Sequence, residues 1–159
     1  MRGIIFLIFL IGSVWAKGDF TEKRYIYALD KTTLFKGSIV ITDDVTIVRY
    51  TSPEKKVLTQ SGQTLTVEDV EAKKTHVIDL SKRMDMSLYF SFMRSIHNKD
   101  FTGLKNYFDI TKEGTTYLLS PKSQAKRAIL KMEITMRQDE IDKMIIYFTN
   151  QDIIEIETL

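Results

Sequence analysis

Arg127-Ala128-Ile129-Leu130-Lys131-Met132-Glu133-Ile134-Thr135-Met136-Arg137 reads at a period of two. Ala128, Leu130, Met132, Ile134 and Met136 fall on one face, while Arg127, Lys131, Glu133, Thr135 and Arg137 fall on the other. This is the pattern of an antiparallel strand with one face buried and one in water. Similar runs at 143–149 and 153–158 follow turns at 138–142 and 150–152, so the chain ends in a three-stranded meander. The same reading extends toward the N-terminus. Strands are expected at 23–29, 34–42, 45–51, 56–60, 64–70 and 75–80, separated by Asp30-Lys31, Asp43-Asp44, Ser52-Pro53, Ser61-Gly62 and Ala72-Lys73.

Between 83 and 109 the period changes. Leu88, Tyr89, Phe92, Met93 and Ile96 recur at helical spacing, and a second short helix with Phe101, Leu104, Tyr107 and Phe108 is expected after Asp100, a suitable N-cap. A further strand at 117–120 returns the chain to the sheet. About nine or ten strands are too many for a flat open sheet, so the sheet should curl, and an apolar helical stripe most economically lies across its hollow side. The expected fold is mainly β with a helical insertion: a curved antiparallel sheet forming an incomplete, half-open β-barrel covered by helices.

Residues 1–16 read as a cleavable signal peptide. Arg2 is followed by an unbroken apolar run over 4–11, and Val14-Trp15-Ala16 places small residues at minus three and minus one. A membrane anchor would need roughly 20 apolar residues. Residues 17–159 then form one exported domain. The chain contains no cysteine, so burial alone must hold it together. Removing Arg2, the only charge in the leader, takes the 23 basic residues down by one and nearly level with the 21 acidic ones, and no basic patch suggests nucleic acid. Lys55-Lys56, Lys73-Lys74 and Lys126-Arg127 flank strands, where a solvated face or edge protection explains them.

Four motifs occur in order behind this leader. Asp19-Phe20-Thr21-Glu22-Lys23-Arg24-Tyr25, Phe35-Lys36-Gly37-Ser38-Ile39, Arg49-Tyr50-Thr51-Ser52-Pro53-Glu54-Lys55 and Gly62-Gln63-Thr64-Leu65 together resemble the opening of the LolA family, periplasmic carriers of outer-membrane lipoproteins. Thr42-Asp43-Asp44 stands where that family has Arg-Pro, and Ile47-Val48 where it has Arg-Trp. The family's lid-holding arginine therefore has no obvious counterpart, and the chain looks more like a short, divergent LolA-like branch.

The resemblance implies a cavity for acyl chains, cargo of lipoprotein acyl chains or free lipid, an inner-membrane release complex, an outer-membrane acceptor, and a periplasmic location in a Gram-negative bacterium. A monomer is expected. Phe35, Ile39, Ile41, Leu65, Val67, Ile78 and Leu80 would line the cavity from the sheet, with Leu88, Phe92, Met93 and Ile96 facing them from the lid. Read without the resemblance, the same alternating face is that of an ordinary packed core. Asn98-Lys99-Asp100 could hinge the lid or be a plain loop. Arg49 and Tyr50 could meet a headgroup or serve as cross-strand pairs.

Catalysis finds little support. His76 lies in a strand in phase with Ile78, as a core histidine would, and His97 stands at a helix end. Neither has a spaced partner, and no nucleophile, metal or phosphate motif occurs. No cofactor and no metal site is expected. The competing reading is a periplasmic LolA-like sensor or interaction module that recognises a lipid or protein signal without transporting it.

Overall fold

The computed structural model describes residues 16–98 and 100–159. The expected leader lies outside them except for Ala16, which opens the first strand. One antiparallel sheet of eleven strands forms: β1 (Ala16–Ile26), β2 (Lys31–Ile41), β3 (Val45–Ser52), β4 (Lys56–Ser61), β5 (Thr64–Asp69), β6 (Lys74–Asp79), β7 (Phe108–Glu113), β8 (Thr116–Pro121), β9 (Ile129–Arg137), β10 (Glu140–Phe148) and β11 (Ile153–Thr158). A single α-helix, α1 (Met84–His97), interrupts them.

The strand order is β6-β5-β4-β3-β2-β1-β11-β10-β9-β8-β7. Two meanders, β1 to β6 and β7 to β11, are therefore joined side by side where β1 pairs with β11, from Phe20↔Thr158 to Tyr25↔Ile153. β6 and β7 are consecutive in the chain yet occupy opposite edges of the sheet. The segment between them must cross the sheet, and it carries α1. The sheet is curved and does not close.

Tight turns set the registers. Gly62 adopts a φ of 56° between β4 and β5, and Gln138 and Asp139 adopt 49° and 66° between β9 and β10. Two successive positive φ values are what a two-residue hairpin turn needs to match the strand twist.

The face beneath α1 carries the core. Val48, Leu65, Met132, Ile134, Met144, Ile146 and Ile156 are buried from the sheet, and Leu88, Phe90, Phe92 and Met93 from the helix. Phe92 meets Phe108 of β7 with ring centroids 4.8 Å apart. Two ladder irregularities matter. Near the start of β9 the pairing shifts between Tyr147↔Lys131 and Phe148↔Ile129, leaving Leu130 as the extra residue. A one-residue slip exchanges faces. Ile129 is consequently buried, and Leu130, expected inward, is 62% exposed.

Other expectations are also corrected. The second helix is only a short 3-10 turn over Leu104–Asn106, and Phe108 begins β7 instead. Asp100 accepts the Thr102 N–H at 2.9 Å within a turn and caps no α-helix. β1 and β2 begin at Ala16 and Lys31, earlier than expected, and pair along their whole length. His76 does share a face with Ile78, but β6 is an edge strand and His76 is exposed, not a core residue.

The second irregularity lies at Lys36/Gly37 in β2. A Cβ on Gly37 would collide with the Arg49 carbonyl oxygen and lie 2.9 Å from Phe20 Cζ. Backbone cannot retreat there without disturbing β3. Gly37→Ala should therefore lower stability by about 1–3 kcal/mol, as overpacking does. Denaturant melting checks this, and an unchanged midpoint would contradict the close approach.

Candidate lipid-binding face

Hydrophobic alternation brings one row of side chains from each strand to the concave face, and α1 lies over them. Ile39, Ile41, Leu65 and Leu80 are buried there, and Phe35, Val67 and Ile78 are half-buried at its margin. From α1, Leu88, Phe92 and Met93 are buried against the same cluster. Ile96 belongs to α1, and its side chain lies outside the described set. Leu80 contributes from the 3-10 turn after β6 instead of from the strand. The residues expected to line a cavity are thus gathered on one surface, where they are each other's packing partners.

A polar cluster interrupts this apolar face. Phe20, Glu22 and Arg24 alternate along β1, so Glu22 enters the core side and is only 1% exposed. Burying a carboxylate is costly unless its oxygens find donors. Glu22 Oε1 accepts from Arg24 Nε, and Oε2 accepts from the Tyr50 hydroxyl at 2.6 Å. Arg24 Nη2 donates to the Tyr50 oxygen at 3.0 Å, so the three groups satisfy one another.

Phe20 and Phe35, from the first two motifs, flank this cluster. Phe20 and Phe35 each meet Tyr50 edge-on at 5.7 Å, and the Arg24 guanidinium lies 4.4 Å from the Phe35 ring centroid. Such cation–π contacts suit the weakly hydrated guanidinium. Of the two residues read either as headgroup contacts or as cross-strand pairs, Tyr50 is buried, whereas Arg49 is exposed on the opposite face.

α1 joins this polar cluster through Tyr89. Burial first, then the neighbouring Tyr50 and Glu22, holds the Tyr89 hydroxyl well above the ordinary tyrosine pKa. Burial and Glu22 likewise raise Tyr50. A second polar link lies nearer the C-terminal half of α1, where Arg94 Nη1 donates to the fully buried Thr46 hydroxyl at 3.4 Å. The helix is thus held by an apolar stripe and by two polar links to β1 and β3. Sequence reading missed this network. The signal was present in Glu22, a carboxylate in phase with Phe20 at an inward position.

Among the described residues, no group of three or more histidine and carboxylate side chains gathers to hold a metal ion. No helix among them is long and apolar enough to cross a membrane.

No known family model matches the chain, and no curated protein matches it. Among solved structures, it is similar to a chain of the Pseudomonas aeruginosa MucA/MucB complex at 9% identity, with a TM-score of 0.49, over 91% of this chain. It spans about half of that neighbour, 49% of its length. A DUF1329 family protein from Desulfovibrio piger is similar at 10% identity and a TM-score of 0.46, over 94% of this chain and 85% of its own. A domain from Vibrio parahaemolyticus named for outer membrane lipoprotein sorting is similar at 9% identity and a TM-score of 0.41, over 93% of this chain and 84% of its own. The open, curved antiparallel sheet covered by a single helix agrees with the half-open architecture expected from the alternation of the strands.

Tyr50→Phe removes one of the donors to buried Glu22 and should cost about 1–3 kcal/mol at neutral pH. In the wild type the folded state holds its proton on Tyr50 above the ordinary value of 10.0. That contribution is complete below pH 10.0 and is lost as pH rises beyond it, because only the unfolded tyrosine ionises there. The variant should therefore show a shallower alkaline loss of stability. Denaturant midpoints measured across neutral and alkaline pH test both effects, and parallel curves would contradict the assignment.

Proposed function

We propose that this protein is a periplasmic carrier that holds acyl chains of a lipoprotein or lipid between α1 and the concave sheet and ferries them toward the outer membrane. One observation carries the reading: every ladder pairing of the sheet is made between strands, and α1 supplies none of them. The helix can lift without breaking a single ladder hydrogen bond, and lifting it uncovers an apolar surface interrupted by the Glu22–Arg24–Tyr50 cluster. Each methylene transferred from water to such a surface contributes about 0.8 kcal/mol, so one or two acyl chains offset much of the cost of displacing the helix. Met86 and Met93 on α1 are unbranched and adapt to cargo of varied shape.

Support comes from the order of the four motifs, whose Phe20, Phe35, Gly37 and Tyr50 converge on one spot, and from the leader-like segment before them. Arg24, Tyr50 and Tyr89 form a polar contact between the sheet and α1. The reading is of a binding protein, with release driven by a partner or membrane offering a better site.

Native mass spectrometry with lipid extraction, on full-length protein exported and recovered from a Gram-negative periplasm, tests the proposal. Acyl-bearing species should co-purify, and Leu65→Phe, which narrows the space on the concave side, should reduce the amount bound. Protein free of lipid that also takes up none from added vesicles would contradict the carrier reading and favour the interaction module.

A further inference from the structure

Beside the N-terminal end of α1 lies a notch of about 600 Å³, within the size range of small-molecule sites. Its apolar side is Met84, Ala128 and Phe148, and its polar side includes Arg127, Gln124 and Asn150. Ala128 and Phe148 also pack against the main core cluster. The Ala128 and Phe148 side of the notch therefore adjoins the core that α1 covers. Met84 is partly exposed here, at 37%.

The charges in and around the notch do not cancel. Asp85, which also lines it, is held by Arg83 through two hydrogen bonds of 3.2 and 3.0 Å, and this pairing keeps its carboxyl below the ordinary aspartate range. The Asn150 amide is engaged with Asp152, and the Thr149 hydroxyl with the Arg127 carbonyl oxygen. The Arg127 guanidinium makes no ion pair or hydrogen bond among the described residues, nor does the Gln124 side chain. One positive charge, with donors arranged in a planar fork, is left facing a hollow whose other wall is apolar.

We propose that this notch seats the anionic headgroup of an amphiphile, a carboxylate or phosphate read by Arg127, while its hydrocarbon tail passes Met84, Ala128 and Phe148 and runs under α1. The inference rests on the carrier reading and adds to it a chemical class of cargo and a direction of entry. Arg127 suits the role because guanidinium pairs with carboxylate or phosphate through two parallel hydrogen bonds. The sequence pattern alone marks Arg127 only as one of a pair of basic residues before a strand. Its neighbourhood with Phe148 arises from the β9–β10 pairing, which brings Phe148 opposite Ile129.

The test titrates the full-length protein with dodecyl phosphate, dodecanoate and dodecyl maltoside, following binding by calorimetry and the Met84 methyl by nuclear magnetic resonance. The two anions should bind about tenfold tighter than the uncharged glycoside, a difference that a charge-assisted pair supplies. Their order separates a phosphate from a carboxylate headgroup. Arg127→Gln should erase the preference while leaving glycoside affinity unchanged, and Arg127→Glu should reverse it. The Met84 methyl resonance should move with each anion.

Equal binding of charged and uncharged probes, or an equal loss for all three in Arg127→Gln, would overturn the headgroup site and leave the carrier reading standing. A stationary Met84 resonance during anion binding would do the same. Failure of every amphiphile to bind would remove both.

Discussion

The link between β6 and β7 has to travel from one edge of the sheet to the other. Ten strand spacings at about 4.8 Å make a flat sheet of this size roughly 48 Å wide, whereas a helix of 14 residues is about 21 Å long. Curling the sheet brings the two edges nearer, and running the helix over the hollow side lets it bury its apolar stripe on the way. Connectivity, curvature and the covered concave face are thus one arrangement. Each is a consequence of placing consecutive strands at opposite edges.

Within that arrangement α1 is held in two different ways. Leu88, Phe90, Phe92 and Met93 give it an apolar grip that is strong but undirected, since hydrophobic burial scales with area and not with orientation. The Glu22–Arg24–Tyr50 cluster, reached by Tyr89, and the Arg94–Thr46 contact supply direction. Buried ion pairs add little net stability compared with apolar packing, yet breaking one is expensive. The polar links therefore suit a cover that must return to one position after moving. They sit on β1 and β3, which carry the first and third of the four motifs.

Much of this architecture was legible from the residues. Strict alternation identified the strands of the C-terminal meander, and turn residues separated those of the N-terminal half. The stripe of Leu88, Phe92 and Met93 identified α1 because helical spacing persisted over several turns. Phe108 was misread because Phe101, Leu104 and Phe108 also fit a helical period, and only pairing with β8 decides otherwise. Leu130 was placed on the wrong face because a bulge leaves no mark in an alternating pattern. His76 shows a different limit: alternation reports the face of a strand but not whether a helix extends far enough to cover it. The apolar site residues were readable as a face. Glu22 was readable as an inward carboxylate, but its partner Tyr50 was not, because their contact depends on β1 and β3 flanking β2 in the folded sheet.

Hydrogen exchange measured amide by amide tests most directly whether α1 is a movable cover. The helix should open in a step of lower free energy than global unfolding, with α1 amides exchanging while the central β1, β2 and β11 amides remain protected. Exchange of α1 only together with those central strands would show the helix to be an inseparable part of the core, and would contradict a carrier that opens by lifting it.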